Sequence, residues 1–169
     1  MPGRTYPTYN VPWVPPGTYT VRLSVDGTTK TQPIVVRLDP RVKIAPEALT
    51  QLNTLSSSLY WEAVAAHRAF NDARALAATL DARSGAAVDA LKGELEALAP
   101  TGLQRNMRVL RRRGAGPATP SLEAVSNALQ AAAMTMQAAE VAPTAAQLAA
   151  ATAARTQAQR IENAGRAGR

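Results

Sequence analysis

The sequence predicts an α+β fold that is mostly helical, with an N-terminal β-hairpin followed by an antiparallel, alanine-rich bundle of about four helices. Two periodicities indicate this class. Apolar residues alternate with polar ones between Gly17 and Arg41, which is typical of a half-buried strand. After Ala45 they recur at a spacing of three and four, which is typical of an amphipathic helix. We therefore expect a β segment over residues 1–44 and a helical bundle over 45–169.

The hairpin is the most sharply defined element. Its outward strand carries Tyr19, Val21, Leu23 and Val25 on one face, and its returning strand carries Ile34, Val36 and Leu38. Asp26-Gly27 lies between them, and such a pair supplies the positive φ angles of a tight turn. Asp39-Pro40 ends the second strand, because proline cannot donate to a ladder.

Two strands alone leave this apolar face without a partner, and an isolated hairpin is marginal in water. Gly17-Thr18-Tyr19 resembles the tyrosine corner of immunoglobulin-like sandwiches, so we interpret the hairpin as part of such a sandwich. Either the helices cover its face, or the strands that complete the sheet lie outside this sequence.

The first helix is predicted to start at Pro46, which suits the first helical turn, and to run for about 50 Å. Its apolar stripe comprises Leu49, Leu52, Ser56, Leu59, Ala63, Ala66, Phe70, Ala73, Ala77 and Leu80. Arg83-Ser84-Gly85 separates it from a second, shorter helix. The stripe of that helix comprises Val88, Leu91, Leu95 and Leu98.

A third helix is predicted to begin near Thr119-Pro120. Its stripe comprises Leu122, Val125, Leu129, Ala132, Met136 and Ala139. Thr144 and Gln147 form the pattern of a capping box and start a fourth helix. The stripe of that helix comprises Leu148, Ala151, Arg155, Ala158 and Ile161.

Composition restricts the classes of function. The 169 residues include no cysteine, which excludes disulfides and thiolate chemistry, and carry a formal net charge of +7. No apolar run approaches the roughly 18 residues of a membrane span, and the first ten residues lack the apolar segment of a signal peptide. We therefore expect no membrane span and no signal peptide, and this leaves the localisation of the chain unknown.

Residues with catalytic potential do not cluster in the sequence. His67 is the only histidine, and Glu62, Asp72 and Asp81 do not share a metal-ligand spacing with it. No nucleophile elbow, Walker loop or dinucleotide-binding motif occurs. We therefore expect no enzymatic activity, no cofactor and no metal site.

A basic, Gly/Pro-rich linker is predicted over residues 103–120. It contains the candidate anion contacts Arg105, Arg108, Arg111, Arg112 and Arg113. Such a cluster neutralises phosphates with a strong salt dependence. The linker has no aromatic residue on which bases could stack, so nucleic-acid binding is the less favoured use of the cluster.

Two segments resemble a known family. WVPPGTYTVRLSVDGTTKTQPIVVRLDPR, from Trp13 to Arg41, resembles the module that follows the β-propeller in large bacterial sortilin-type, BNR-repeat proteins, which are often labelled glycosyl hydrolases or sialidase-like. Residues Pro120 to Ala154 are similar to the helical segment that closes those chains. The resemblance implies an immunoglobulin-like hairpin and a periplasmic or secreted parent protein.

The sequence departs from that family in what it lacks. It contains no Asp-box repeat, no propeller blade and no early sandwich strand, so no catalytic residue is transferred. The resemblance implies a noncatalytic C-terminal fragment with a structural or interaction role. Its expected partner is the remainder of the propeller protein, or another chain that completes the sheet. The alternative is a small basic protein that binds anions or nucleic acid through the arginine-rich linker.

Overall fold

A computed structural model describes residues 11–101 and 120–167, with side chains up to residue 164. The elements in chain order are β1 (Gly17–Val25), β2 (Thr28–Val36), α1 (Pro46–Thr79), α2 (Ala86–Leu98), α3 (Leu122–Met136) and α4 (Ala145–Ala167). A hairpin followed by four helices confirms the predicted fold class.

The two strands form an antiparallel hairpin of nine residues each. Tyr19 lies opposite Ile34, and Val25 lies opposite Thr28 across the turn. Asp26 and Gly27 have φ angles of 49° and 78°, as the Asp-Gly pair predicted. The second strand ends at Val36, two residues before the predicted Leu38.

Helix α1 is the longest element, with 34 residues. Pro46 occupies its first turn together with Glu47, whose charge favours the positive end of the helix dipole. Every residue of the predicted stripe is buried or half-buried. The periodicity therefore identified both the helix and the face that packs.

Helix α2 folds back on the C-terminal half of α1. Gly85 precedes it with a φ of 128°, a conformation that favours glycine. Leu95 is buried, but Leu91 is 39% exposed, so the expectation that Leu91 packs inward was wrong. Arg74 on α1 forms a 3.1 Å ion pair with Glu96 on α2. Glu96 also accepts a 2.6 Å hydrogen bond from the Thr101 amide just after the helix.

The starts of α3 and α4 are both capped by side chains. Ser121 accepts a 3.2 Å hydrogen bond from the Ala124 amide. Thr144 and Gln147 form the predicted capping box: the Gln147 amide donates to Thr144 Oγ1 at 3.2 Å, and the Thr144 amide donates to Gln147 Oε1 at 2.8 Å. Ala139 lies beyond the end of α3 and is exposed, so its predicted place in the α3 stripe was wrong.

The hydrophobic core lies between α1, α3 and α4. Its buried members are Leu52, Leu59, Ala63, Val125, Leu129, Ala132, Ala133, Met136, Ala151 and Ala154. Half of them are alanines, which bury little surface each. The larger side chains of this cluster therefore provide most of its apolar burial.

Polar contacts join the same three helices. Arg155 on α4 forms a 2.7 Å ion pair with Glu62 on α1 and also donates to Ser58 Oγ at 2.8 Å. The hydrogen bonds to Glu62 raise the pKa of Arg155 above its usual value. At the buried surface between α1 and α3, Ser126 Oγ donates to the Ala63 carbonyl at 2.9 Å.

Short polar contacts organise both ends of the hairpin. Asp39 accepts hydrogen bonds from the Arg41 amide at 2.9 Å and from its guanidinium at 2.7 Å. On the other side, the Trp13 amide donates to Gln137 Oε1 at 3.2 Å and so connects the segment before β1 to the end of α3. Within the described ranges, no helix is long and apolar enough to cross a membrane.

We predict that Leu59→Ala destabilises the chain by about 2–5 kcal/mol, because Leu59 is 0% exposed and its truncation leaves a cavity. Leu76→Ala on the same helix is the matched control, since Leu76 is 46% exposed. The control should change the free energy of unfolding by no more than about 0.5 kcal/mol. Urea denaturation measures both, and equal effects would place the core elsewhere.

We predict that the Asp39 carboxylate titrates below its ordinary pKa of 3.8, because hydrogen bonds from Arg41 stabilise the charged form. Since the folded-state pKa is lowered, the contact contributes fully above the unfolded pKa and is lost as pH falls through the lowered value. An NMR titration of Asp39 measures it. Arg41→Ala should raise the pKa of Asp39 part of the way to its ordinary value, because it removes the guanidinium but keeps the backbone amide that also donates to Asp39.

Lys43→Ala is the control, because the Lys43 ammonium donates to the Pro40 carbonyl and not to Asp39. It should leave the Asp39 pKa low. An Asp39 pKa that does not respond to Arg41→Ala would contradict the assigned cause.

Candidate functional site

The exposed apolar face of the hairpin is the candidate functional site. The register places Tyr19, Val21, Leu23 and Val25 of β1 on one face with Ile34 and Val36 of β2, and the polar Thr28, Lys30 and Gln32 of β2 lie on the same side. We call the apolar part formed by Tyr19, Val21, Leu23, Val25 and Ile34 the hairpin face. Residues at even positions of β1 point to the opposite side, because side chains alternate along a strand. The pleat therefore gathers these apolar groups on one surface.

Most of the hairpin face is open to solvent. Val21 is 52% exposed, Leu23 63%, Val25 56% and Ile34 48%, while Tyr19 is half-buried. Val21, Leu23 and Val25 follow one another on one side of β1, and Ile34 of β2 lies opposite Tyr19, whereas Gln32, Lys30 and Thr28 lie opposite the other three. Scattered exposed apolar residues are ordinary on protein surfaces, but a contiguous apolar sheet face indicates a surface that becomes covered.

The helices do not cover this face. In the described part of the chain the two strands pair with each other, and neither packs extensively against a helix. Besides Tyr19, the partly covered apolar residues lie at the end of β2 and in the segment that leads to α1. They are Val36, Leu38, Val42 and Ile44, which are half-buried. Of the two expectations from the sequence, coverage by the helices is therefore not what the structure shows.

The opposite face of the hairpin is polar. Ser24 and Thr29 face each other there, and their hydroxyls form a 2.8 Å hydrogen bond. Val35 is the exception, with 56% of its surface exposed. The sheet is thus amphipathic, as expected of a sheet with one buried and one solvated face.

A tyrosine contact stabilises the entry to the hairpin. The Tyr19 hydroxyl donates a 2.6 Å hydrogen bond to the Pro15 carbonyl, four residues upstream. The tyrosine corner of immunoglobulin-like sandwiches makes a contact of this kind. Trp13 just before it is 50% exposed and holds Gln137 through its backbone amide.

His67 lies on a groove between α1 and α3. The groove has a volume of about 410 Å³ and is lined by Tyr60, Ala63, Val64, His67, Arg68, Ser126, Asn127 and Gln130. His67 stacks on Phe70 at a ring-centroid distance of 6.3 Å and has no orienting carboxylate among the described residues. Among the described residues, His67 therefore has no partner that would orient it as the base of an acid–base site.

Several acidic side chains serve the fold. Glu62, Glu96 and Asp39 each pair with an arginine. Within residues 11–101 and 120–164, no group of three or more metal-ligating side chains converges. The five arginines proposed as anion contacts lie outside the described residues, so their role stays a prediction.

Sequence reasoning missed several polar contacts. Arg155 was assigned to an apolar stripe without its partner Glu62, and Ser126 was not singled out although it bonds to α1. Gln137 was missed as well: its Oε1 accepts a hydrogen bond from the Trp13 amide, and its buried Nε2 has no hydrogen-bond partner among the residues that the structure describes. Only the N-cap at Ser121 had a local signal, a serine just before an apolar helical run.

Comparison with known proteins identified no relative of the chain: no family model, no curated protein and no solved structure matches it.

Proposed function

We propose that the chain is a noncatalytic structural or interaction module whose hairpin face is completed by further β-strands. The supporting observation is that Val21, Leu23, Val25 and Ile34 lie on one face of the sheet and that each of them is 48–63% exposed. Covering the remaining surface of each side chain is worth about 1 kcal/mol, by the usual coefficient for apolar area. Four such side chains favour association with a further segment, because two strands alone cannot bury this apolar face.

The proposed source of these strands is the rest of a bacterial sortilin-like or glycosyl-hydrolase-like propeller protein, or another chain that completes the sheet. Support comes from the resemblance of residues 13–41 and from the Tyr19–Pro15 hydrogen bond, which has the form of a tyrosine corner. On this proposal the chain is a C-terminal fragment without enzymatic activity. The parent protein would act in the periplasm or outside the cell.

The alternative function is binding of anions or nucleic acid through Arg105, Arg108, Arg111, Arg112 and Arg113. It rests on the composition of the linker and on the net charge of +7. No contact in the described residues favours it over the hairpin face. We therefore give the hairpin face precedence.

We predict that the isolated full chain binds a hydrophobic dye through the hairpin face and self-associates at high concentration. Val21→Thr/Leu23→Thr should reduce both effects, because it removes apolar surface from the open face without changing the alternation of the strand. Dye fluorescence and sedimentation velocity measure the two effects. We expect dye binding to fall about twofold, since the two side chains are half of the exposed set.

Val14→Thr/Val35→Thr is the matched control. Both valines are 56% exposed, and neither lies on the hairpin face. The control should bind dye nearly as the unmodified chain does. Equal losses in the two double variants, or a full-length chain that binds no dye, would contradict the proposed function.

The assignment to a propeller protein predicts a second result. An antibody against helices α3 and α4 should detect a native product far larger than 17.8 kDa in the source cells. The physical reason is that the strands that cover the hairpin face would then be part of the same polypeptide. Detection of a 17.8 kDa product alone would overturn the propeller assignment and leave only a separate partner chain.

A further inference from the structure

We propose that the strand completing this sheet is an acidic, amphipathic strand of another polypeptide segment, and that it pairs with the outer edge of β1 and not with that of β2. This inference rests on the proposed function and specifies where the partner binds. Three observations support it: the alternation of hydrogen-bonded and non-hydrogen-bonded residue pairs along the hairpin, the position of Pro33, and the charge of the hairpin.

The register determines which backbone groups point outward. Val25 and Thr28 flank the two-residue turn, where the residues joined across a tight turn form a hydrogen-bonded pair. Antiparallel pairs alternate between hydrogen-bonded and non-hydrogen-bonded types. The outward-facing amides and carbonyls of β1 therefore belong to Thr18, Thr20, Arg22 and Ser24.

The same alternation of residue pairs directs the backbone nitrogen of Pro33 to the outer edge of β2. Pro33 lies opposite Thr20, which is a non-hydrogen-bonded pair, so the nitrogen of Pro33 points away from β1. Proline has no N–H, and it is tolerated on edge strands at such positions. The outer edge of β2 thus lacks a donor near its middle, which is a common protection against strand addition.

The outer edge of β1 has no such interruption. It runs from Gly17 to Val25 without proline, and no other strand in the described residues pairs with it. An added strand there would extend the hairpin face beside Tyr19, Val21, Leu23 and Val25. Main-chain hydrogen bonds would supply affinity and the alternating side chains would supply specificity, as in other β-augmentation complexes.

Charge determines the chemistry of the partner strand. Residues 17–37 carry the cations Arg22, Lys30 and Arg37 against one acidic residue, Asp26, and the next acidic residue, Asp39, pairs with Arg41. None of the three cations forms an ion pair with a described acidic residue. At the β1 edge, pairing with a second copy would bring like charges together, whereas a strand with glutamate beside Arg22 would pair with it, because cross-strand opposite charges stabilise a sheet. Self-association of the isolated chain is therefore expected through the apolar hairpin face and not through this edge.

The test uses the full chain and two blocked nine-residue peptides. Both alternate valine with polar residues; one carries glutamate at its central polar positions and the other carries lysine there. The glutamate peptide should bind about tenfold more tightly by fluorescence anisotropy. Thr20→Pro should weaken its binding about tenfold, because it removes an outward donor of β1.

Thr31→Pro is the matched control. Thr31 also occupies a non-hydrogen-bonded position, but on β2, so its loss should change binding by less than about twofold. Arg22→Glu keeps every backbone donor and should reverse the preference between the two peptides. Lys30→Glu on β2 should affect it less, which separates a local charge pair from a general field effect.

Each other outcome overturns the inference. If Thr20→Pro and Thr31→Pro weakened peptide binding equally, the peptide would not prefer the edge of β1 to that of β2. Equal affinity for the two peptides, or no binding of either, would exclude an acidic strand. A dimer dissociated by Thr20→Pro without peptide binding would assign the edge to a second copy. If any of these results occurred while the Val21→Thr/Leu23→Thr variant still lost dye binding, the proposed function would survive and only the edge assignment would fail.

Discussion

The packing of α3 against both α1 and α4 is the constraint on which the rest of the structure depends. The core between these helices consists half of alanines, so the helices must approach closely to bury enough surface. Leu59, Leu129 and Met136 fill the space that the small residues leave. Ser126 and Arg155 then add hydrogen bonds to α1 at positions that only this close approach brings within reach.

That constraint explains why the hairpin remains open. The apolar stripe of α1 packs mainly against α3 in its first half and against α2 in its second, so among the described residues this stripe does not cover the sheet. The hairpin is held at its base through the half-buried residues Val36 and Leu38 and through the amide of Trp13. Its outer part extends away from these attachments with its apolar side chains exposed.

The function that we propose for the open hairpin is the binding of another polypeptide. In the described residues the carboxylates Glu62, Glu96 and Asp39 are engaged by arginines, and His67 lacks a polar partner. The hairpin, in contrast, has exposed apolar side chains on one face and, among the described residues, unpaired backbone groups along the edge of β1, and further strands could cover the first and bond to the second. On this proposal the function depends on the segment that completes the sheet, and anion binding by the arginine-rich linker stays a separate prediction from the sequence.

Local sequence signals determined most of the elements. The period of two and Asp26-Gly27 determined the hairpin, and the Thr144–Gln147 box determined the start of α4, because these patterns involve neighbours in the chain. Only the tertiary structure decided which of these elements pack against one another. The contacts of Ser126 with Ala63 and of Arg155 with Glu62 join residues far apart in sequence, and the helical stripes cannot specify which helix lies opposite. For the same reason periodicity identified the hairpin face as apolar, but only the packing of the helices with one another left it uncovered.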